Sequence, residues 1–143
     1  MIQVSFHTRV PDKFGYACRL LRKAYRAGSR VVVTGPDADL AALDKALWTF
    51  EPLEFVPHAR QLPGPPNAVR VAATPVWLVP IGQEPPHHDV LVNLGPAVAP
   101  GFESFKRVIE LISIEPDDVQ AGRKRWKHYV ERGYAVTHHE VSA

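Results

Sequence analysis

The chain has 143 residues, 45% hydrophobic and 22% charged, with a formal net charge of +2. This composition describes one globular domain able to bury its own core, and it excludes a disordered chain or a disulfide scaffold, since there is a single cysteine. The charge is too mild to identify a nucleic-acid binder, since 15 acidic residues nearly balance 17 Lys and Arg, and no membrane span is indicated, since no apolar run approaches ~18 residues.

Met1-Ile2-Gln3-Val4-Ser5-Phe6 carries no signal-peptide pattern, so a cytoplasmic protein is expected. Gln3 to Thr8 reads as a first strand, and Pro11-Asp12 as a helix start. Phe14, Ala17, Cys18, Leu21, Ala24 and Tyr25 recur at helical spacing, with Gly28 as the stop. Cys18 lies on that apolar face, where an inert core thiol is expected rather than a nucleophile. The β-branched run Arg30 to Thr34, closed by Gly35-Pro36, reads as a strand buried on both faces, completing a βαβ unit. Asp37 starts a second helix with Leu40, Leu43 and Leu47 inward and Trp48 at its end.

Pro52, Pro57, Pro63, Pro65 and Pro66 make the next stretch irregular. Val69–Val71, Pro75–Val79, Val90–Asn93 and Arg107–Ser113 are further strand candidates. Asp117 or Asp118 is expected to cap a basic helix ended by Gly133, and Tyr134–Thr137 a last strand. The sum is a single domain over residues 1–143, a three-layer α/β architecture with a mostly parallel central sheet.

An α/β domain invites a nucleotide site. However, the turn after the second strand holds one glycine, Gly35, and no Lys-Ser/Thr follows it. His87-His88-Asp89 and His138-His139-Glu140 look like metal ligands, but neighbours on extended backbone point to opposite faces, and surface loop histidines are expected instead. No Gly-x-Ser-x-Gly elbow and no His-Glu-x-x-His occurs. No catalytic, cofactor or metal residues are assigned.

Two segments hold binding chemistry. From Gln120 to Arg132 five cations face one anion. On a helix, Arg123, Trp126 and Lys127 share one face, a pattern suited to an acidic ligand with an apolar end. The alternative is a solvated charged face with Trp126 packed inward. Trp48 and Phe55 flank a proline-bearing turn, where aromatics either plug the core or anchor a partner.

These segments and their order resemble the chi subunit of bacterial DNA polymerase III. The resemblance runs through Ala27-Gly28-Ser29-Arg30-Val31, Leu43-Asp44-Lys45-Ala46-Leu47-Trp48, Phe55-Val56-Pro57-His58, Arg123-x-Arg125-Trp126-Lys127-x-Tyr129 and Gly133-Tyr134, nearly end to end. It implies a Rossmann-like fold without catalysis. It further implies a protein that grips the acidic, phenylalanine-ended C-terminal tail of single-stranded DNA-binding protein (SSB) and, on its other side, the psi subunit of the clamp loader. DNA would then be met mainly through SSB. Carried over by residue, the tail site is Arg123, Trp126 and Lys127 with Ile112 as an apolar floor, and the psi site is Trp48 and Phe55. Trp126 stands where family members often carry tyrosine. The rival readings are an α/β enzyme or nucleotide-binding protein whose site is assembled from distant residues, and a direct single-stranded DNA binder using Arg and Trp on one helix.

Overall fold

A computed structural model describes residues 2–49, 56–60 and 74–141. Its elements are β1 (Gln3–Val10), α1 (Lys13–Arg26), β2 (Val31–Gly35), α2 (Asp37–Thr49), β3 (His58–Arg60), β4 (Val76–Pro80) and β5 (Val90–Asn93). A 3₁₀ turn (Phe102–Ser104), β6 (Arg107–Ser113), α3 (Pro116–Glu131) and β7 (Ala135–Glu140) complete them. The strands form one sheet in the order β3-β4-β2-β5-β6-β1-β7, and every pairing is parallel. Among the described residues three helices flank this sheet in a Rossmann-like, three-layer α/β arrangement, which agrees with the fold expected from the sequence. The expected strand Val69–Val71 lies outside the described residues.

Strand alternation divides the core in two. Val31 and Val33 of β2 face α1 and α2, joining Ala17, Cys18, Leu21, Leu40, Leu43 and Leu47, whereas Val32 faces α3 with Phe6, Trp77, Val108 and Tyr129. β2, buried along its whole length, is the two-sided strand its β-branched run implies. Cys18 sits in the first of these cores, and burial, with Asp12 nearby, pushes its thiol pKa up to about 11. That is the inert thiol expected.

The helix termini follow local chemistry with one exception. The Asp12 side chain caps α1 by accepting from the Gly15 N–H at 3.1 Å. Gly133, with φ of 79°, supplies the left-handed turn that ends α3. At the start of α3, however, the N-cap position is Glu115 without a side-chain cap bond, and Pro116 occupies the first turn. Neither Asp117 nor Asp118 is the cap expected from sequence. Asp118 instead accepts the Ser113 N–H at 2.7 Å and pairs with Lys13 Nζ at 3.2 Å. Lys13 also donates to the Leu94 carbonyl at 3.3 Å, tying the start of α1 and the end of β5 to the β6–α3 junction.

The α3 face of the sheet contains a buried ion pair. Glu110 lies between Val108 and Ile112 on β6, so alternation points it at α3, where Arg125 Nε meets its Oε1 at 2.9 Å with both side chains almost fully buried. Its Oε2 accepts from Tyr129 Oη at 2.7 Å and Asn93 Nδ2 at 3.2 Å. The Arg125 guanidinium also donates to the Pro96 carbonyl at 3.0 Å. Burial raises the Glu110 pKa against the lowering pull of Arg125 and the donors from Tyr129 and Asn93. Gly122, one turn before Arg125, meets β6 so closely that a Cβ there would overlap Ile112 Cδ1.

Two outcomes test these contacts. Arg125→Met leaves the Glu110 carboxylate buried without its cation and is expected to cost about 3–5 kcal/mol in urea unfolding. Adding Glu110→Gln to that variant should recover part of the loss, and strictly additive effects would show the pair is uncoupled. For Asp118, burial opposes ionisation but is outweighed by the Ser113 N–H and Lys13, so its pKa is lowered. A lowered carboxylate stabilises the fold above its unfolded pKa of about 4, and that contribution is lost as pH falls through the folded value. Asp118→Asn should therefore be less stable than wild type by about 1–3 kcal/mol at neutral pH, with the gap closing as pH falls through the lowered folded pKa.

Candidate functional site

α3 presents three kinds of side chain according to angular position. Gly122, Arg125 and Tyr129 are buried against the sheet. Trp126, one residue past Arg125, is turned toward β1 and β7, with its ring edge-on to Phe6 at 5.1 Å and to His138 at 6.0 Å. It is nonetheless 36% exposed. The indole thus packs partly inward and still shows a face to solvent. Arg123, one turn earlier, is exposed, and among the described residues it has no ion-pair partner. Of the five cations between Gln120 and Arg132, Arg125 belongs to the core and is 2% exposed, so the sequence count overstates the surface charge by one.

Between α3 and the carboxyl ends of β1, β6 and β7 runs an open groove of about 620 Å³. Ile112 and Gly122 form part of its floor, Phe6, Val119 and Trp126 extend the apolar lining, and Ile114, 57% exposed, stands just beyond β6. Arg123 lines it from α3 and Arg9 from β1, and no carboxylate occurs among its described lining residues. The groove therefore offers apolar contact between two guanidinium groups. Parallel α/β sheets commonly bind ligands beyond the carboxyl ends of their strands.

Of the residues singled out in sequence, Arg123, Trp126 and Ile112 come together in this groove. Lys127 does not line it. Its ammonium is exposed, 3.7 Å from Glu131 one turn on. Among the lining residues not assigned to the site from sequence are Arg9, Thr8 and His138, with Thr8 Oγ1 and His138 Nε2 2.6 Å apart. They are brought in by the β1–β7 pairing, which aligns Phe6 with His138 and Thr8 with Glu140. Nothing in local sequence pairs residues so far apart.

The histidine doublets also differ from expectation. His138 and His139 lie on β7 and not in a loop, and they point to opposite sides as extended neighbours must: His138 toward the groove, His139 toward the His7 ring at 5.4 Å. His87 is buried and not a surface residue. Burial, then the nearby Arg30, lowers its pKa. His88 is the surface member, 3.3 Å from Glu84.

Far from the groove, Trp48 at the end of α2 is 64% exposed, which removes it from the core. Its ring packs edge-on against His58 at 5.3 Å, and the His58 imidazole lies between the Val56 carbonyl at 2.7 Å and the Asp44 carboxylate at 3.0 Å. Phe55 is outside the described residues.

Comparison with known proteins agrees with this architecture and with the family that the sequence resembles. The chain is 39% identical to the DNA polymerase III subunit chi of Pseudomonas aeruginosa over 128 residues, covering 87% of this chain and 84% of that protein. With the subunit chi of Escherichia coli it shares 29% identity over 118 residues, covering 82% and 78% respectively. In fold alone it is similar to the crystal structure of T4 UvsW, with a TM-score of 0.70 at 8% identity, over 98% of this chain and 41% of that one. The family model described as DNA polymerase III chi subunit, HolC, matches residues 1–137, and with these relatives it shows that the chain belongs to that family of DNA replication proteins.

Proposed function

We propose that this chain is a non-catalytic subunit of the replicative polymerase assembly that binds the acidic C-terminal tail of SSB in the groove between α3 and β1, β6 and β7. Through psi it would connect that tail to the clamp loader, working in the cytoplasm at the replication fork. The observation that carries this reading is an open apolar groove flanked by two arginines and lined by no carboxylate among its described residues. A phenylalanine ring fits the apolar surface of Ile112, Val119 and Trp126. The terminal carboxylate is a bidentate partner for a guanidinium, and Arg123 supplies one with no competing ion pair among the described residues. Lys127, outside the lining, would act on the tail's aspartates through the field at the rim.

The energies are modest. One charge-assisted contact is worth ~1.5–3 kcal/mol, a buried ring ~1.5–3 kcal/mol, and ordering a flexible tail consumes several kcal/mol of that gain. Affinity on the order of micromolar follows. No cofactor enters this reading. Trp48, exposed at the end of α2, is the anchor we assign to psi together with Phe55.

The tail site is tested by calorimetric titration with a synthetic acidic peptide ending in phenylalanine. Arg123→Ala should weaken binding about 10-fold or more, while removal of the terminal phenylalanine should cost more than removal of one aspartate. Unchanged affinity in Arg123→Ala would exclude this placement. The psi site is tested separately by Trp48→Ala, which should weaken association with purified psi by ~2 kcal/mol or more and leave peptide affinity near wild type. Full retention of psi by a folded Trp48→Ala protein would remove Trp48 from the interface.

A further inference from the structure

One of the two arginines flanking the groove comes from outside α3. Arg9 has φ of 57°, in the left-handed region that residues with side chains rarely adopt. The pairing of β1 with β6 shifts register between His7 and Val10 at the same point. In a regular strand Thr8 and Arg9 would point to opposite faces, yet here both line the groove. The kink thus turns a side chain into the groove that regular alternation would send away from it.

Arg9 is already engaged. Its Nε lies 2.9 Å from Glu140 Oε1, in a pair whose side chains are 75% and 54% exposed. Glu140 stands opposite Thr8 on β7, two residues beyond His138, so β-strand alternation places it on the same side as that groove-lining histidine. Arg123, by contrast, has no ion-pair partner among the described residues. One guanidinium of the groove is open and the other carries an internal carboxylate.

We infer that Arg9 is a specificity-determining residue of the groove for acidic peptides, and that Glu140 is an internal competitor which such a peptide displaces from it. This inference rests on the acidic-tail reading above and adds a second contact with its own regulation. An ion pair this exposed is weak enough to exchange partners, since pairs of its kind hold by no more than about a fivefold factor in equilibrium. A ligand presenting several carboxylates to Arg9 while its apolar end sits near Trp126 outcompetes a single side chain through effective concentration.

The test is a double-mutant cycle, with titration of the same synthetic acidic peptide ending in phenylalanine into wild type, Arg9→Ala, Glu140→Gln and the double variant at one low salt concentration. Circular dichroism and thermal melting establish that these exposed substitutions leave the fold intact. Arg9→Ala should weaken binding about fivefold, and Glu140→Gln should tighten it about twofold to fivefold. In the Arg9→Ala background Glu140→Gln should have no effect. Equal tightening in both backgrounds would mean that Glu140 merely repels the ligand, and the competitor role would be overturned. Binding that depends on Arg123 and ignores Arg9 overturns the inference while sparing the tail reading, whereas no binding by wild type overturns both.

Discussion

The buried pair of Glu110 and Arg125 is the constraint on which the α3 side of the molecule depends. Both charges are removed from water, so each is tolerated only in the position where the other neutralises it, 2.9 Å away. Apolar contacts alone would let a helix slide or rotate on a sheet at small cost. A buried guanidinium with defined partners on Glu110 and the Pro96 carbonyl holds α3 at one rotation and one height. Tyr129, one turn later, repeats the constraint from the same carboxylate. With Arg125 and Tyr129 fixed inward, the 100° step between helical neighbours leaves Trp126 at the edge facing β1 and β7, and Arg123 on the open side. The groove's geometry is a consequence of which residue is buried.

Gly122 and Ile112 set the depth. Because α3 approaches β6 at a residue without a side chain, Ile112 can rise beneath the helix and form floor, while Ile114 beyond the strand end remains exposed. The same strand therefore supplies the carboxylate that orients the helix and the methyl groups beneath the ligand space. Placement at the carboxyl ends of parallel strands is ordinary for α/β proteins. The described lining here is apolar between arginines, with no glycine-rich turn among those residues to cradle phosphate, and this is the chemistry on which the proposed peptide-tail reading rests.

Much of the fold was legible because each long element carries its own period. α1 shows a continuous apolar stripe, β2 a β-branched run, and β6 and α3 boundaries within one or two residues of those expected. β3 was missed because three residues in a proline-bearing stretch show no period. The basic motif was legible as a helix, but which of its cations is buried was not. Arg125 differs from Arg123 only in facing Glu110, fifteen residues earlier on another element. Arg9 and His138 were hidden for a related reason, since their approach is made by the parallel pairing of the first and last strands. Asp118 misled because a carboxylate at a helix start reads as a cap, whereas here it reaches back to Ser113 and across to Lys13.

Sheet order also bears on how two partners could be held at once. The groove is built on β6, β1 and β7 at one end of the sheet, and Trp48 packs on His58, the first residue of β3, at the other. Adjacent strands are about 4.8 Å apart, so the intervening strands separate the two regions by roughly 20 Å or more. That is well beyond the Debye length of about 8 Å at physiological salt, and the cations of the groove exert little force on a ligand near Trp48. The elements between are parallel strands whose side chains are mostly buried, and closely packed strands of this kind deform little. If the proposed tail and psi contacts lie at these two ends, a sheet of this kind acts as a spacer: it would hold the two surfaces at a fixed distance while leaving their affinities independent.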